Sequence, residues 1–193
     1  DVCRRLEQAG VCVPKIIAYE QNQGFFCLSD LGDELLSSVI SEANMQTLYR
    51  RAIDLIPTMA AIPTQGLPYY DADFIRRELA IFTEWLLATH LNLSLSAEEQ
   101  LQLEQCFELL VDSALSQPKV FMHRDFHSRN LLMHQASLAV IDFQDAVLGP
   151  ITYDVVSLLK DCYLKWPTEQ VNALFDYFLS QMTQHKLAAD YSK

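Results

Sequence analysis

Glycine is scarce in this 193-residue chain: there are five, no two of them close together. No Gly-rich phosphate-binding loop can therefore be drawn anywhere along it. The five cysteines (Cys3, Cys12, Cys27, Cys106 and Cys162) are odd in number, widely spaced and free of any CxxC pair. That spacing fits neither a disulfide framework nor a zinc knuckle, and it predicts reduced, buried thiols. No apolar run approaches the roughly 18 residues that span a bilayer, and no charged stretch leads into an apolar segment as a secretory signal would. Neither membrane insertion nor export is expected, and a cytoplasmic location is the default. Basic residues are also few, 14 against 25 acidic, for a formal charge of −11. Such a chain repels phosphate backbones, which argues against a nucleic-acid partner. Solvated acidic helix faces account for the charge without any functional role.

What is present is ordinary for a globular protein: 50% hydrophobic and 20% charged residues. Val2 to Leu6 reads as the tail of a helix closed by Gly10. Lys15 to Tyr19 and Phe25 to Leu28 read as strands around the turn-forming Gln21-Asn22-Gln23-Gly24. A helix is expected from Glu34 and another across 42–61, and Pro63, Gly66 and Pro68 then break the pattern. Apolar residues recur at helical spacing in four later stretches, and these stripes predict core faces. They are Phe74, Ile75, Leu79, Phe82 and Leu86; Leu103, Phe107, Leu110, Val111 and Ala114; then Val155 to Cys162 and Val171 to Met182. Lys119 to Met122, Leu131 to Met133 and Leu138 to Ile141 are short strand-like runs between them. The fold class is α+β, mostly helical with a small β element.

Polar residues concentrate around that β element. It carries His123-Arg124-Asp125-Phe126-His127-Ser128-Arg129-Asn130, then Ile141-Asp142-Phe143-Gln144-Asp145. Apolar strands that present polar groups at their ends make a rigid scaffold for a site. One carboxylate could take a proton from an attacking hydroxyl, and another carboxylate with an amide oxygen could hold a hard cation. Phosphoryl transfer needs that division of labour, since its catalysis is positioning plus charge neutralisation.

The spacing H-x-D-x-x-x-x-N, followed by Ile141-Asp142-Phe143, resembles the catalytic and metal-binding loops of the protein-kinase-like superfamily. His127, two residues after the Asp, resembles the aminoglycoside phosphotransferase and choline kinase branch, whose acceptors are small molecules. Gly149 and Tyr153-Asp154 match the same branch. Arg77-Glu78-Leu79, Phe82, Glu84-Trp85 and the two loops are similar to the bacterial anomeric kinases of N-acetylmuramate and N-acetylglucosamine.

The resemblance covers nearly the whole chain and implies a two-lobed kinase-like fold, ATP and Mg²⁺ as cofactors, and a small-molecule hydroxyl acceptor, namely the anomeric hydroxyl of an amino sugar of cell-wall recycling. It implies that Asp125 is the catalytic base and that Asn130 and Asp142 are the Mg²⁺ ligands. His123, His127 and Asp154 would organise the loop, with Ser128 beside them. Asp145 would serve a second metal or the substrate. Leu28 and Ser29, in Phe25 to Gly32, would form the hinge that binds adenine through backbone groups. Glu78, Glu84 and Trp85 are candidate substrate contacts, although a Trp on an apolar stripe is commonly core. The family's glycine-rich loop and phosphate-gripping lysine have no counterpart, Lys15 falling too late in the order. This implies an incomplete N-lobe, with residues 1–33 its remnant plus hinge and 34–193 the helical C-lobe.

Three other readings remain at this point. An aminoglycoside or other small alcohol could be the acceptor. His123, Asp125 and His127 could ligate zinc in a metal-dependent hydrolase. The fold could also serve as a non-catalytic, kinase-like binding module.

Overall fold

The computed structural model describes residues 1–135 and 137–187. The chain opens on helix α1 (Val2–Gln8). Gly10, at φ +85°, takes the left-handed turn after it, and the Val11 amide returns to the Leu6 carbonyl at 3.0 Å. That is the closure a glycine permits at a helix C-terminus. Strands β1 (Ile16–Glu20) and β2 (Phe25–Leu28) form an antiparallel hairpin whose residues are exposed throughout.

The helix expected across 42–61 is two helices, α3 (Met45–Ile53) and α4 (Leu55–Ala60), after the single turn α2 (Leu36–Val39). Pro57 explains the break: it lacks the N–H that would bond the Ile53 carbonyl, and its ring crowds that position. Both helices still bury their apolar faces, including Tyr49, Ile53 and Met59. Helix α5 (Ala72–Ile81) is capped by the Asp71 side chain, which accepts the Phe74 amide at 2.8 Å. It runs on into a π-helical segment, Phe82–His90. Helix α6 (Ala97–Ser116) starts at a full capping box between Ser96 and Glu99.

Three of the helical stripes are only partly core. Ile75 and Val111 are buried, but Phe82, Leu86 and Leu110 are exposed, as are Val156 and Cys162 further on. Periodicity identifies an apolar face; whether the described residues cover it is decided by packing. The thiols are corrected likewise: all five are free, yet only Cys3 is buried, and Cys27, Cys106 and Cys162 are exposed.

The element that positions the site is built from four short strands. They are β3 (Lys119–Met122), β4 (Leu131–His134), β5 (Ser137–Val140) and β6 (Val147–Pro150), the last not anticipated from the sequence. β3 pairs antiparallel with β6, and β4 with β5. Met122 lies opposite Val147, and Leu131 lies opposite Val140. Residues 123–130 and 141–146 therefore connect the same two ladders and must run side by side. Helices α7 (Tyr153–Leu159) and α8 (Thr168–Gln184) complete the chain's helical packing. The main core joins α1, α3, α4, α7 and α8 to this β element, with Leu6, Phe121, Phe126, Val155 and Phe178 at its centre. A smaller cluster of Tyr70, Ile75, Val111, Met122 and Val147 ties α5 and α6 to it. Among the described residues no helix is long and apolar enough to cross a membrane.

Candidate active site

The two parallel loops bring Asp125, Asn130 and Asp142 together, as their spacing predicts. The Ile141 amide donates to the Asn130 carbonyl at 3.1 Å, locking the loops at one end. The Asn130 Nδ2 donates to the Asp125 carbonyl at 2.9 Å and stands 3.4 Å from Asp142 Oδ2. Asp142 Oδ1 accepts from Gln144 Nε2 at 2.7 Å, a contact the sequence did not single out. Asp142 and Arg124 both adopt left-handed backbone, at φ +63° and +78°. Non-glycine residues rarely stay there unless their surroundings hold them, and such residues cluster at working sites.

What holds Arg124 is Asp154. Buried in the first turn of α7, its carboxylate accepts the His123 amide at 2.8 Å and the Arg124 amide at 3.1 Å. Burial pushes Asp154 up to about 7, against the pull of those two N–H groups. His123 is fully buried, and its Nε2 is 3.1 Å from the Ile141 carbonyl, which bridges the two loops. Burial drives its basicity down to about 4, so the ring is neutral and Nε2 donates. Asp125 itself is half-buried. Its acidity is weakened by burial, restored in part by Arg124 and weakened again by Asp142.

His127 has a ring contact with Tyr163 at 5.3 Å, and its Nε2 lies 3.5 Å from Asn130 Nδ2. Among the described residues no group of three His, Cys, Asp or Glu could hold a metal ion. A carboxylate paired with an amide is a different donor set. Asp142 carries two hard carboxylate oxygens and Asn130 an amide oxygen, a donor set that suits Mg²⁺, and it is the Asn130 nitrogen that faces Asp142 Oδ2 in this structure.

The remaining candidates divide. Both Glu78 oxygens have partners: Oε1 pairs with Arg124 Nη2 at 2.7 Å, and Oε2 accepts the Tyr70 hydroxyl. Glu84 and Trp85 lie on the exposed π-helical segment, Trp85 at 63% exposure, so it is not a core residue. Asp145 is exposed, and its carbonyl is 3.4 Å from Arg124 Nη1. At the expected hinge segment, the Ser29 amide donates to the Lys15 carbonyl and its Oγ accepts the Lys15 amide, both at 2.9 Å. Leu28 ends β2 opposite Ile16.

The sequence pattern of the phosphotransferase enzyme family matches residues 1–189. The chain belongs to that family. It is 41% identical over 179 residues to the N-acetylmuramate/N-acetylglucosamine kinase of Pseudomonas aeruginosa, covering 92% of this chain and 53% of that protein. The Pseudomonas putida protein of the same name is 39% identical over 175 residues, with 90% and 52% covered. The chain thus spans about half the length of the curated relatives it matches. Its fold is that of an ADP-bound aminoglycoside phosphotransferase, at a TM-score of 0.63 and 16% identity, covering 96% of this chain and 66% of the other.

Proposed function

We propose that the whole protein is an ATP- and Mg²⁺-dependent kinase that phosphorylates the anomeric hydroxyl of N-acetylmuramate or N-acetylglucosamine. The observation that carries the transfer chemistry is the convergence of Asp125, Asn130 and Asp142 across two loops held by common ladders. The choice of sugar rests on the two relatives of that name.

In this reading Asp125 accepts the proton of the acceptor hydroxyl and orients it for attack. Its weakened acidity suits that role, because a stronger acid would be a poorer base. Asn130 and Asp142 hold Mg²⁺, which supplies neutralisation of the phosphate charge. His123, His127, Ser128 and Asp154 keep the loop in shape. Residues 1–33 are the last part of an N-lobe with its hinge, and 34–193 form the C-lobe. The exposed apolar residues of the β1–β2 hairpin, among them Ile17, Tyr19 and Phe26, suit a strand layer continued by more of that lobe. With the Ser29 amide committed to Lys15, adenine would be read by the other backbone groups around Leu28. Asp145 stands near enough to weaken the acidity of Asp125 and serves a second metal or the sugar. Glu84 and Trp85 are exposed where an acceptor could meet them.

The deciding experiment incubates the whole protein with ATP, Mg²⁺ and one acceptor at a time, and locates new phosphate by phosphorus NMR. A sugar 1-phosphate from either amino sugar is expected. Phosphate on kanamycin, with neither amino sugar turned over, would overturn the choice of acceptor and leave the kinase chemistry standing.

A further inference from the structure

Helix α7 meets the catalytic segment twice. Asp154 in its first turn holds the amides of His123 and Arg124 at the front of the loop. Just past its C-terminal end, Asp161 reaches the middle of the same loop. Its Oδ2 accepts the Ser128 hydroxyl at 2.6 Å and lies 3.4 Å from the Ser128 amide. Its Oδ1 accepts the amides of Tyr163 at 3.0 Å and Leu164 at 2.9 Å. That second pair folds the 161–164 turn so that the Tyr163 ring meets His127 edge-on at 5.3 Å, with the Arg129 guanidinium 4.7 Å above it.

Ser128 is fully buried and occupies the centre of the turn that connects base to ligand. Within that turn the His127 amide donates to the Asp125 carbonyl at 3.0 Å, and the Asn130 amide to the His127 carbonyl at 2.9 Å. Displacing Ser128 therefore displaces Asp125 relative to Asn130. The Asp161 side chain is tied at once to the loop and to the turn that packs on the loop.

We propose that Asp161 is a positioning residue for phosphoryl transfer. It sets the separation of Asp125 and Asn130 through Ser128, with Tyr163 bracing His127 and Arg129 from the same turn. This rests on the kinase reading above for its catalytic consequence, but not for the mechanical one.

Ser128→Ala removes the link to the loop and leaves the Asp161 turn intact; Asp161→Ala removes both. In the whole protein each variant should lower kcat roughly tenfold, the scale of one hydrogen bond to a charged group. KM for ATP and for the acceptor should change less than about twofold, because no substrate contact is lost. The double variant should be no slower than Asp161→Ala alone, the mark of two residues acting as a unit. If Asp161 merely caps its own turn, Ser128→Ala will keep its full kcat, which overturns the proposal; so does a double variant slower than Asp161→Ala by the whole Ser128→Ala factor, the mark of two residues acting independently. Hydrogen–deuterium exchange across residues 124–130 gives a readout independent of activity. Exchange should quicken there in both variants while α8 keeps its protection. Unchanged exchange in Ser128→Ala would overturn the positioning role even if the protein transfers no phosphate.

Discussion

Arg124 is joined to Glu78 by an ion pair of 2.7 Å that fastens α5 to the loop carrying Asp125. Both side chains are largely buried, at 22% and 26% exposure. The Arg124 guanidinium also stacks 4.9 Å over the Phe74 ring, and Glu78 accepts the Tyr70 hydroxyl from the other side. Glu78→Ala should cost about 1–3 kcal/mol, because it leaves a largely buried guanidinium without its paired carboxylate. As a positioning group its loss should lower kcat and leave the acceptor KM nearly unchanged. A rise in acceptor KM at constant kcat would show instead that Glu78 binds the sugar.

Asp125 and Asp142 sit in one site but should fail differently. Asp125→Asn should reduce turnover at least about a hundredfold, the usual scale for a positioned base. Asp142→Ala should abolish metal-dependent turnover, since Asn130 alone is a poor site for a divalent ion. Steady-state rates over a Mg²⁺ titration check both. Wild-type rates from Asp142→Ala would remove it from the metal site.

His123 and Asp154 give opposite pH dependences of stability in one window. His123 is pushed down to about 4 in the folded protein, below its ordinary value, so the unfolded chain binds the extra proton. Its contribution is present above about pH 6.5 and is lost as pH falls towards 4, by roughly 3 kcal/mol at most. Asp154 is pushed up to about 7, so the folded protein holds the extra proton. Its contribution is present below about pH 4 and is lost as pH rises through 7. The two largely offset one another. Asp154→Asn should unmask His123, so that Tm climbs more steeply between about pH 4 and 6.5 than in the wild type. Equal slopes in melts across that range would contradict the assignment.

Gly149 is required by close approach rather than by an unusual backbone angle. A Cβ there would stand 2.5 Å from Met122 Sδ and 2.7 Å from its Cε. Met122 is itself buried beneath α5 and immediately precedes the catalytic loop. Gly149→Ala should destabilise by about 1–3 kcal/mol, the range for overpacking a filled core. A urea midpoint equal to wild type would show that Met122 can swing clear.

The chemistry of the site was legible in the sequence because it depends on residue type and short spacing. His123, Asp125, Asn130 and Asp142 stand close along the chain, and any fold that pairs the flanking strands must bring their loops together. Local punctuation was legible at Gly10, which closes α1; the caps at Asp71 and Ser96 were not read, although their side-chain types suit that role. The break at Asp54 could have been read from Pro57, and β6 was hidden by its brevity and its terminal Gly149-Pro150.

What only the tertiary structure decided is which partners those residues take. That Arg124, distant in sequence, takes one of the Glu78 oxygens is visible only in the fold. Asp161 carried no motif, and its hold on Ser128 exists only because α7 returns beside the catalytic loop. Trp85 and Leu110 sit on apolar stripes that periodicity assigns to a core, yet both are exposed. The physical reason is the same in each case. Spacing along a chain governs which side chains share a face or a loop, whereas burial and pairing depend on what another part of the molecule brings against them.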